Sequence, residues 1–183
     1  MDLPEIKRLE AIEVYRNKYG RLFDDRVTAP DGTPGRYLRW EWAHSGVIVI
    51  PFDGTAIALS NNFRYPIGLS SFEFPRGFRK DGESLERAAI RELEEEAGLS
   101  TASLKFLGEV FPDTGFVANS VPVVLARVNS RNQDQQRSES MESIAQELDW
   151  IQCSDLDSQI SQGRIRCGVT LAAIALFRSQ IDV

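Results

Sequence analysis

The chain has 183 residues, of which 42% are hydrophobic, and its 27 acidic and 21 basic residues give a formal net charge of −6. This length predicts one globular domain with a short N-terminal extension, and the negative balance disfavours electrostatic binding to nucleic acid. No apolar run approaches the roughly 20 residues of a membrane helix, and two cysteines suggest no disulfide framework, so we expect a cytoplasmic protein without a membrane partner.

The first part of the chain is predicted to form a helix followed by strands. Hydrophobic residues recur about every three positions before Gly20, which predicts a helix over residues 4–19. Asp53-Gly54 is a hairpin signal between two apolar runs. The strand candidates in this part are residues 23–27, 36–44, 47–50 and 56–59. Residues 63–75 are predicted to be irregular.

The second part begins with a glycine loop from Gly77 to Gly82, which leads into a charged helix from about Ser84 to Ala97. Further strands are predicted at residues 104–111, 121–128 and 148–152, and further helices at 154–162 and 169–177. The run 129–140 is polar, which predicts a mobile loop. Strands around a central helix predict an α/β or α+β fold with a mixed sheet.

The charged helix carries its carboxylates at its C-terminal end, where the helix macrodipole is already negative. Glu92 and Glu96 share one face and Glu95 adjoins them, without balancing cations in the following turn. Three residues point the other way and can be buried: Ile90, Leu93 and Ala97. Most glutamate runs are solvated faces, but such a cluster also offers the oxygen ligands that Mg²⁺ or Mn²⁺ prefers.

The same segment contains every fixed position of the Nudix box: Gly77, Glu83, Arg91-Glu92-Leu93, Glu95-Glu96 and Gly98-Leu99. The chain therefore resembles the Nudix hydrolases. The resemblance implies an α/β/α sandwich that hydrolyses a nucleoside diphosphate linked to another group, with Mg²⁺ or Mn²⁺ as cofactor. It implies that the metal ligands or their close partners are Glu92, Glu95, Glu96 and the backbone carbonyl of Arg76. Glu83 and Arg91 would form an ion pair that fixes the loop against the helix.

The flanking segments are similar to ADP-ribose pyrophosphatases, notably residues 62–66 and 72–77 before the box. This resemblance implies hydrolysis of ADP-ribose to AMP and ribose 5-phosphate. Arg64 would face the substrate as a phosphate or ribose partner, and Glu73 would lie beside it near the ribose.

Three departures from that pattern keep other substrates open, such as a GDP-sugar. The loop of residues 111–119 contains the candidate substrate contacts Gly115 and Phe116. In this loop the proline, Pro112, is displaced from its usual position and the later acidic residue is missing. Arg76 replaces the usual alanine, and Cys167 stands where aspartate is common. A nucleotide-sensing module without catalysis is the alternative of a different class, but the presence of every box acid favours an enzyme.

The resemblance implies that the general base is a glutamate on a mobile loop before the last strand, and here the loop of residues 129–143 offers Glu139 and Glu142. Ser143-Ile144 follows Glu142 as in the resembling enzymes, so Glu142 is the favoured candidate. The resemblance also implies a domain division, with residues 1–35 as a helix and strand extension for dimerisation and residues 36–183 as the catalytic domain. We therefore expect a homodimer that acts on a small nucleotide.

Overall fold

The computed structural model describes residues 4–129 and 148–181. The chain divides into two compact units, of which the first comprises residues 1–45 and 111–120 and the second residues 46–110 and 121–183. Within the described ranges, no helix has both the length and the apolar character needed to cross a membrane.

The first unit is built on a four-stranded antiparallel sheet. Its strands are β1 (Lys7–Glu10), β2 (Glu13–Asn17), β3 (Gly20–Thr28) and β4 (Pro34–Trp42). Strand β4 pairs along the whole length of β3, while β1 and β2 pair with different parts of β3.

The helix predicted over residues 4–19 is wrong, because this segment forms β1 and β2. The register of β1 shifts between Arg8 and Glu10, and that of β2 shifts between Glu13 and Tyr15. Such irregularities insert an extra residue into a strand and break its two-residue alternation. The apolar residues then fall about three positions apart, a spacing that is otherwise typical of a helix.

The second unit contains a seven-stranded mixed sheet, in which five strands follow the order β11-β6-β5-β10-β9. The other two strands lie off this path, with β7 paired to β6 and β8 paired to β5. The strands are β5 (Gly46–Phe52), β6 (Ala56–Arg64), β7 (Leu69–Glu73), β8 (Arg76–Phe78), β9 (Ser103–Val110), β10 (Val121–Arg127) and β11 (Leu148–Gln152). The helices are α1 (Leu85–Ala97), α2 (Leu156–Ser161) and α3 (Gly168–Gln180). Strands β5 and β10 are parallel and the other pairs antiparallel, which confirms the predicted mixed sheet.

The prediction that residues 63–75 are irregular is also wrong. Strand β6 continues to Arg64, turns through a short 3-10 segment at Tyr65–Ile67, and returns as β7 with Arg64 paired to Leu69. Gly68 completes the turn at a φ of 62°, a conformation that glycine adopts without steric cost. Pro66 and Gly68 indicate an interruption of regular secondary structure, and here they form the tight turn of a hairpin.

The helices cover the two faces of the central strands, as the resemblance implied. Helix α1 packs its buried Ala89 and Leu93 in one core cluster with Val47 and Val49 of β5. Phe52 belongs to the same strand, and its ring meets that of Phe177 in α3 edge to face, with the centroids 5.1 Å apart. Helix α1 follows β8 directly, so this layering fixes the box helix against the strand that carries Arg76 and Gly77.

Candidate active site

The box helix is capped at both ends by residues of the box segment. Its N-cap is Ser84, whose side-chain oxygen accepts a hydrogen bond from the backbone N–H of Arg87 at 3.3 Å. Gly98 ends the helix at a φ of 62° and donates its N–H to the carbonyl of Glu94. Glycine at this position satisfies the last carbonyls without a Cβ penalty, so the chain can turn away directly after the glutamates.

Arg91 joins the helix to the loop that precedes it. Its Nε atom donates to Glu83 Oε1 and its Nη2 atom to Glu83 Oε2, both at 2.9 Å. The Nη2 atom also donates to the carbonyl of Phe78 at 2.9 Å. Glu83 accepts a further bond from the backbone N–H of Lys80. The Arg91 guanidinium is the main reason that the pKa of Glu83 falls to about 2. The ion pair implied by the resemblance is therefore present in the structure.

The same guanidinium also reaches two of the clustered glutamates. Its Nη1 atom donates to Glu92 at 2.7 Å and to Glu95 at 3.0 Å. The sequence analysis treated the carboxylates as lacking balancing cations, and that expectation is wrong for these two. Arg91 directly precedes Glu92 and lies one turn before Glu95, so a search of the following turn alone does not detect the cation that compensates them.

Glu92 is buried, with only 5% of its surface exposed, and its carboxylate lies directly against Gly77. A Cβ atom added to Gly77 would lie 2.2 Å from Glu92 Oε1, far closer than any real contact. Burial raises the pKa of Glu92, against the opposing effect of Arg91. Glycine at position 77 thus lets the Glu92 carboxylate lie against β8, and any side chain there would displace this carboxylate.

Glu96 is bound by the backbone of β8, since the N–H of Arg76 donates to its Oε2 atom at 2.9 Å. The residue as a whole retains solvent exposure, but the protein around its carboxylate desolvates the charged form and raises its pKa to about 7. The negative charge of Glu92 acts in the same direction. A carboxylate with such a pKa is stabilised by a cation, because the unpaired charge is unfavourable at neutral pH.

The metal-free protein is expected to lose stability as the pH rises from 4.5 to about 7. The folded-state pKa of Glu96 lies above its ordinary value, so its stabilising contribution is present below pH 4.5 and is lost through about pH 7. The pKa of Glu92 is also raised, so Glu92 acts in the same direction. The pKa of Glu83 is lowered, so its contribution to stability is lost only as the pH falls towards about 2. Thermal unfolding in the presence of a chelator would measure the stability at each pH. An unfolding midpoint that rises between pH 4.5 and about 7 would contradict the prediction.

A second cluster lies beside the box and involves Arg64 and Glu73, which the sequence analysis placed near the substrate. Glu73 is buried, with 1% of its surface exposed. Arg64 donates to its carboxylate through Nε at 3.1 and 3.2 Å and through Nη2 at 2.6 Å. The side chain of Arg76 lies on the other side, with Nη2 2.7 Å from Glu73 Oε2 and Nη1 3.4 Å from Cys167 Sγ.

The contact of the Arg76 side chain with Glu73 was missed, because the sequence analysis noted that Arg76 replaces the usual alanine but gave a role only to its backbone carbonyl. An arginine three residues after a buried glutamate was the available signal, but it became interpretable only once β7 and β8 were placed.

The other predicted site residues are not brought to this cluster by the described contacts. Gly115 and Phe116 belong to the first unit, where Gly115 donates its N–H to Asp113 Oδ1 at 2.9 Å and the Phe116 carbonyl accepts from Trp40 at 2.8 Å. The two base candidates, Glu139 and Glu142, lie outside the described residues. Their roles, and those of all the other predicted site residues, stay predictions.

The donor set fits a hard divalent cation. Glu92, Glu95, Glu96 and the Arg76 carbonyl offer only oxygen atoms, which suit Mg²⁺ or Mn²⁺. Over residues 4–129 and 148–181, no three His, Cys, Asp or Glu side chains converge into a preformed metal cluster. The carboxylates are held instead by Arg91 and by the Arg76 N–H, and Gly77 leaves the space that Glu92 occupies.

Comparison with known proteins gives a consistent set of similarities. The NUDIX domain family matches residues 42–167. An ADP-sugar pyrophosphatase of Mus musculus is 41% identical over 73 residues, which are 40% of this chain and 34% of the relative. An ADP-ribose pyrophosphatase of Bacillus subtilis is 29% identical over 124 residues, which are 67% of this chain and 66% of the relative. The chain thus spans between a third and two thirds of these relatives.

A solved structure described as an ADP compounds hydrolase superposes with a TM-score of 0.80, although its sequence is only 19% identical. The match covers 98% of this chain and 94% of the other. This likeness confirms the fold, namely a mixed α and β architecture with helices flanking a mixed sheet.

Proposed function

The chain belongs to the NUDIX family, whose domain spans residues 42–167, and on that premise we propose that it hydrolyses a nucleoside diphosphate linked to another group. The proposed substrate is ADP-ribose, and the products are AMP and ribose 5-phosphate. The observation that carries the proposal is the arrangement of the box, in which Glu92 fills the space left by Gly77 and Glu96 is bound by the Arg76 N–H.

The choice of ADP-ribose is supported by two kinds of evidence. The similar proteins of Mus musculus and Bacillus subtilis are an ADP-sugar and an ADP-ribose pyrophosphatase. In this chain, Arg64 is held by Glu73 within the same unit as the box and keeps 30% of its side chain exposed. A guanidinium held in this way can bind a phosphate with little further loss of side-chain entropy.

We propose Mg²⁺ or Mn²⁺ as the cofactor, held by Glu92, Glu95, Glu96 and the Arg76 carbonyl. When bound, such an ion would neutralise the oxygens of the diphosphate and lower the pKa of the attacking water. Glu83 and Arg91 keep the loop against α1, so that the Arg76 carbonyl and the glutamates stay in register. Glu142 would accept the proton of the attacking water, and Arg64 would orient the substrate.

A panel assay tests the proposed function. The pure protein would be incubated with Mg²⁺ or Mn²⁺ and with ADP-ribose, other sugar nucleotides including a GDP-sugar, NADH, dinucleoside polyphosphates and nucleoside triphosphates. Release of AMP from ADP-ribose, faster than release from the other compounds, is the expected result. Faster cleavage of a GDP-sugar would show that the GDP-sugar is the preferred substrate. Binding without any cleavage would favour a nucleotide-sensing module.

Exchange of Glu142 for glutamine is expected to lower kcat by about 100-fold or more, the effect of losing a general base, with little change in metal affinity. The matched variant is Glu139→Gln, which removes an equal charge three residues earlier in the sequence and is expected to lose much less of kcat. Single-turnover kinetics would separate the chemical step from binding. Near-normal turnover in Glu142→Gln would rule out Glu142 as the base.

We also propose that the chain forms a homodimer through the first unit. Several apolar side chains in β1 and β2 and beside them are more than half exposed: Ile6, Leu9, Val14, Tyr15 and Tyr19. Exposed apolar groups of this kind mark protein interfaces when they form a patch. Light scattering would measure the mass in solution, and a monomer at micromolar concentration would refute the proposal.

A further inference from the structure

The side chains of Arg64 and Arg76 converge on one buried carboxylate, that of Glu73. Glu73 supplies one negative charge, and the two guanidinium groups that bind it supply two positive charges. The Glu73 side chain is only 2% exposed, whereas those of Arg64 and Arg76 are each 30% exposed. The buried carboxylate thus holds both cations in place, and each guanidinium group's side chain stays partly open to solvent.

The Arg76 side chain lies next to the box. Arg76 is the residue whose N–H binds Glu96, so its side chain starts at the glutamates and reaches from there to Glu73. In this place a guanidinium can offer hydrogen-bond donors to an anion held at the box glutamates, and planar guanidinium groups match the geometry of phosphate.

The second partner of the Arg76 guanidinium is a thiol. Cys167 Sγ lies 3.4 Å from Nη1 of Arg76. Its position is fixed by Ser71, whose buried hydroxyl accepts the backbone N–H groups of Cys167 and Arg166 at 3.2 and 3.1 Å. A carboxylate at position 167 would place a second negative charge beside the Arg76 guanidinium and would compete with an anion for it.

We propose that the Arg76 guanidinium is a second anion-binding group of the site and contacts a phosphate of the substrate together with Arg64. The inference rests on the proposed function in that the anion is taken to be a nucleoside diphosphate. Arg76 then has two roles, since its backbone belongs to the metal-binding loop and its side chain belongs to the substrate site. The competing explanation is that Arg76 only neutralises the buried Glu73.

Direct binding of ADP to the metal-free protein tests the inference without depending on turnover. Calorimetry should show that Arg76→Ala lowers the affinity for ADP by about 10-fold or more, the effect of losing a hydrogen bond to a charged group. With ADP-ribose and metal, KM should rise by a similar factor while kcat changes less. Arg76→Lys should restore part of the affinity, because the charge returns without the planar donors.

Two further variants separate anion binding from a structural role. Arg166→Ala removes an equal charge from an exposed side chain that, among the described residues, donates to the Gly163 carbonyl of its own loop, and it should leave ADP affinity unchanged. Cys167→Asp keeps Arg76 in place and should weaken ADP binding, because the new carboxylate neutralises the guanidinium. Circular dichroism would verify that each variant is folded.

The inference is overturned if folded Arg76→Ala binds ADP as tightly as the original protein, or if the metal-free original protein does not bind ADP at all. A protein that binds ADP through Arg76 but hydrolyses no compound in the panel would support the inference and refute the proposed hydrolase. The two failures are therefore distinguishable.

Discussion

Glutamine in place of Glu96 is expected to abolish the hydrolysis of ADP-ribose. Glu96 is the box glutamate that the β8 backbone fixes, through the 2.9 Å bond from the Arg76 N–H. The amide oxygen of glutamine can still accept that bond, so the fold is retained while the charge needed for a divalent cation is lost. Residues that only support metal ligands cost about 10–100-fold when changed, and loss of a proposed ligand should exceed that range.

The same variant should be more stable than the original protein when no metal is present. Because burial raises the pKa of Glu96 to about 7, its charged form is unfavourable in the metal-free protein at higher pH. The gain in the unfolding midpoint should be seen at about pH 8 and should disappear below pH 4.5, where the carboxyl group is protonated in both the folded and the unfolded protein.

Glu94→Gln is the matched control for Glu96→Gln, because Glu94 lies in the same helix with its side chain exposed. It should keep turnover, and the pH dependence of its stability should match that of the original protein. Turnover that survives in Glu96→Gln with saturating Mg²⁺ and Mn²⁺ would exclude Glu96 from the metal site.

Exchange of Gly77 for alanine is expected to be the second most damaging change to activity. The added Cβ would meet the Glu92 carboxylate at 2.2 to 2.3 Å, so the carboxylate or β8 must move. Overpacking of this kind costs about 1–3 kcal/mol of stability, and a displacement of about 1 Å at a reacting centre can cost about 100-fold in rate. We therefore expect Gly77→Ala to be folded, with kcat lowered by about 100-fold or more and with a weaker affinity for Mn²⁺.

Gly168→Ala is the control for this exchange, because a Cβ at that position meets no atom within 4 Å. It should retain both the unfolding midpoint and the turnover of the original protein. Thermal denaturation, steady-state kinetics and a Mn²⁺ titration would be measured on both variants. A Gly77→Ala protein with normal kcat would show that the position of Glu92 is not critical for the reaction.

The sequence predicted the central part of the molecule well, because its signals are local. The Asp53-Gly54 turn forms as expected, with Asp53 Oδ1 accepting the Ala56 N–H at 2.7 Å and Gly54 at a φ of 110°. The strand predicted at residues 148–152 matches β11, and the helix predicted from Ser84 is present with its serine cap. Each of these features depends on residues that are neighbours in the chain.

The parts that the sequence did not predict depend on neighbours that are distant in the chain. The helical pattern of α1 placed Ile90 in the core and Glu92 on the open face, but Ile90 is 37% exposed and Glu92 is 5% exposed. Gly77 in β8 allows the sheet to approach the helix over Glu92, and Arg91 compensates the buried charge. Periodicity cannot show either effect, because it carries no information about which strand lies beside the helix.

The strand order of the second unit sets a sequence of events for a chain leaving the ribosome. The hairpin of β5 and β6 can form early, but β5 pairs with β10 and β6 with β11, which are made much later. Pairings between distant segments form slowly, because the intervening chain must first be ordered. Until β11 is synthesised, one edge of β6 stays open, so a product truncated before Leu148 would expose a buried strand and be prone to aggregate.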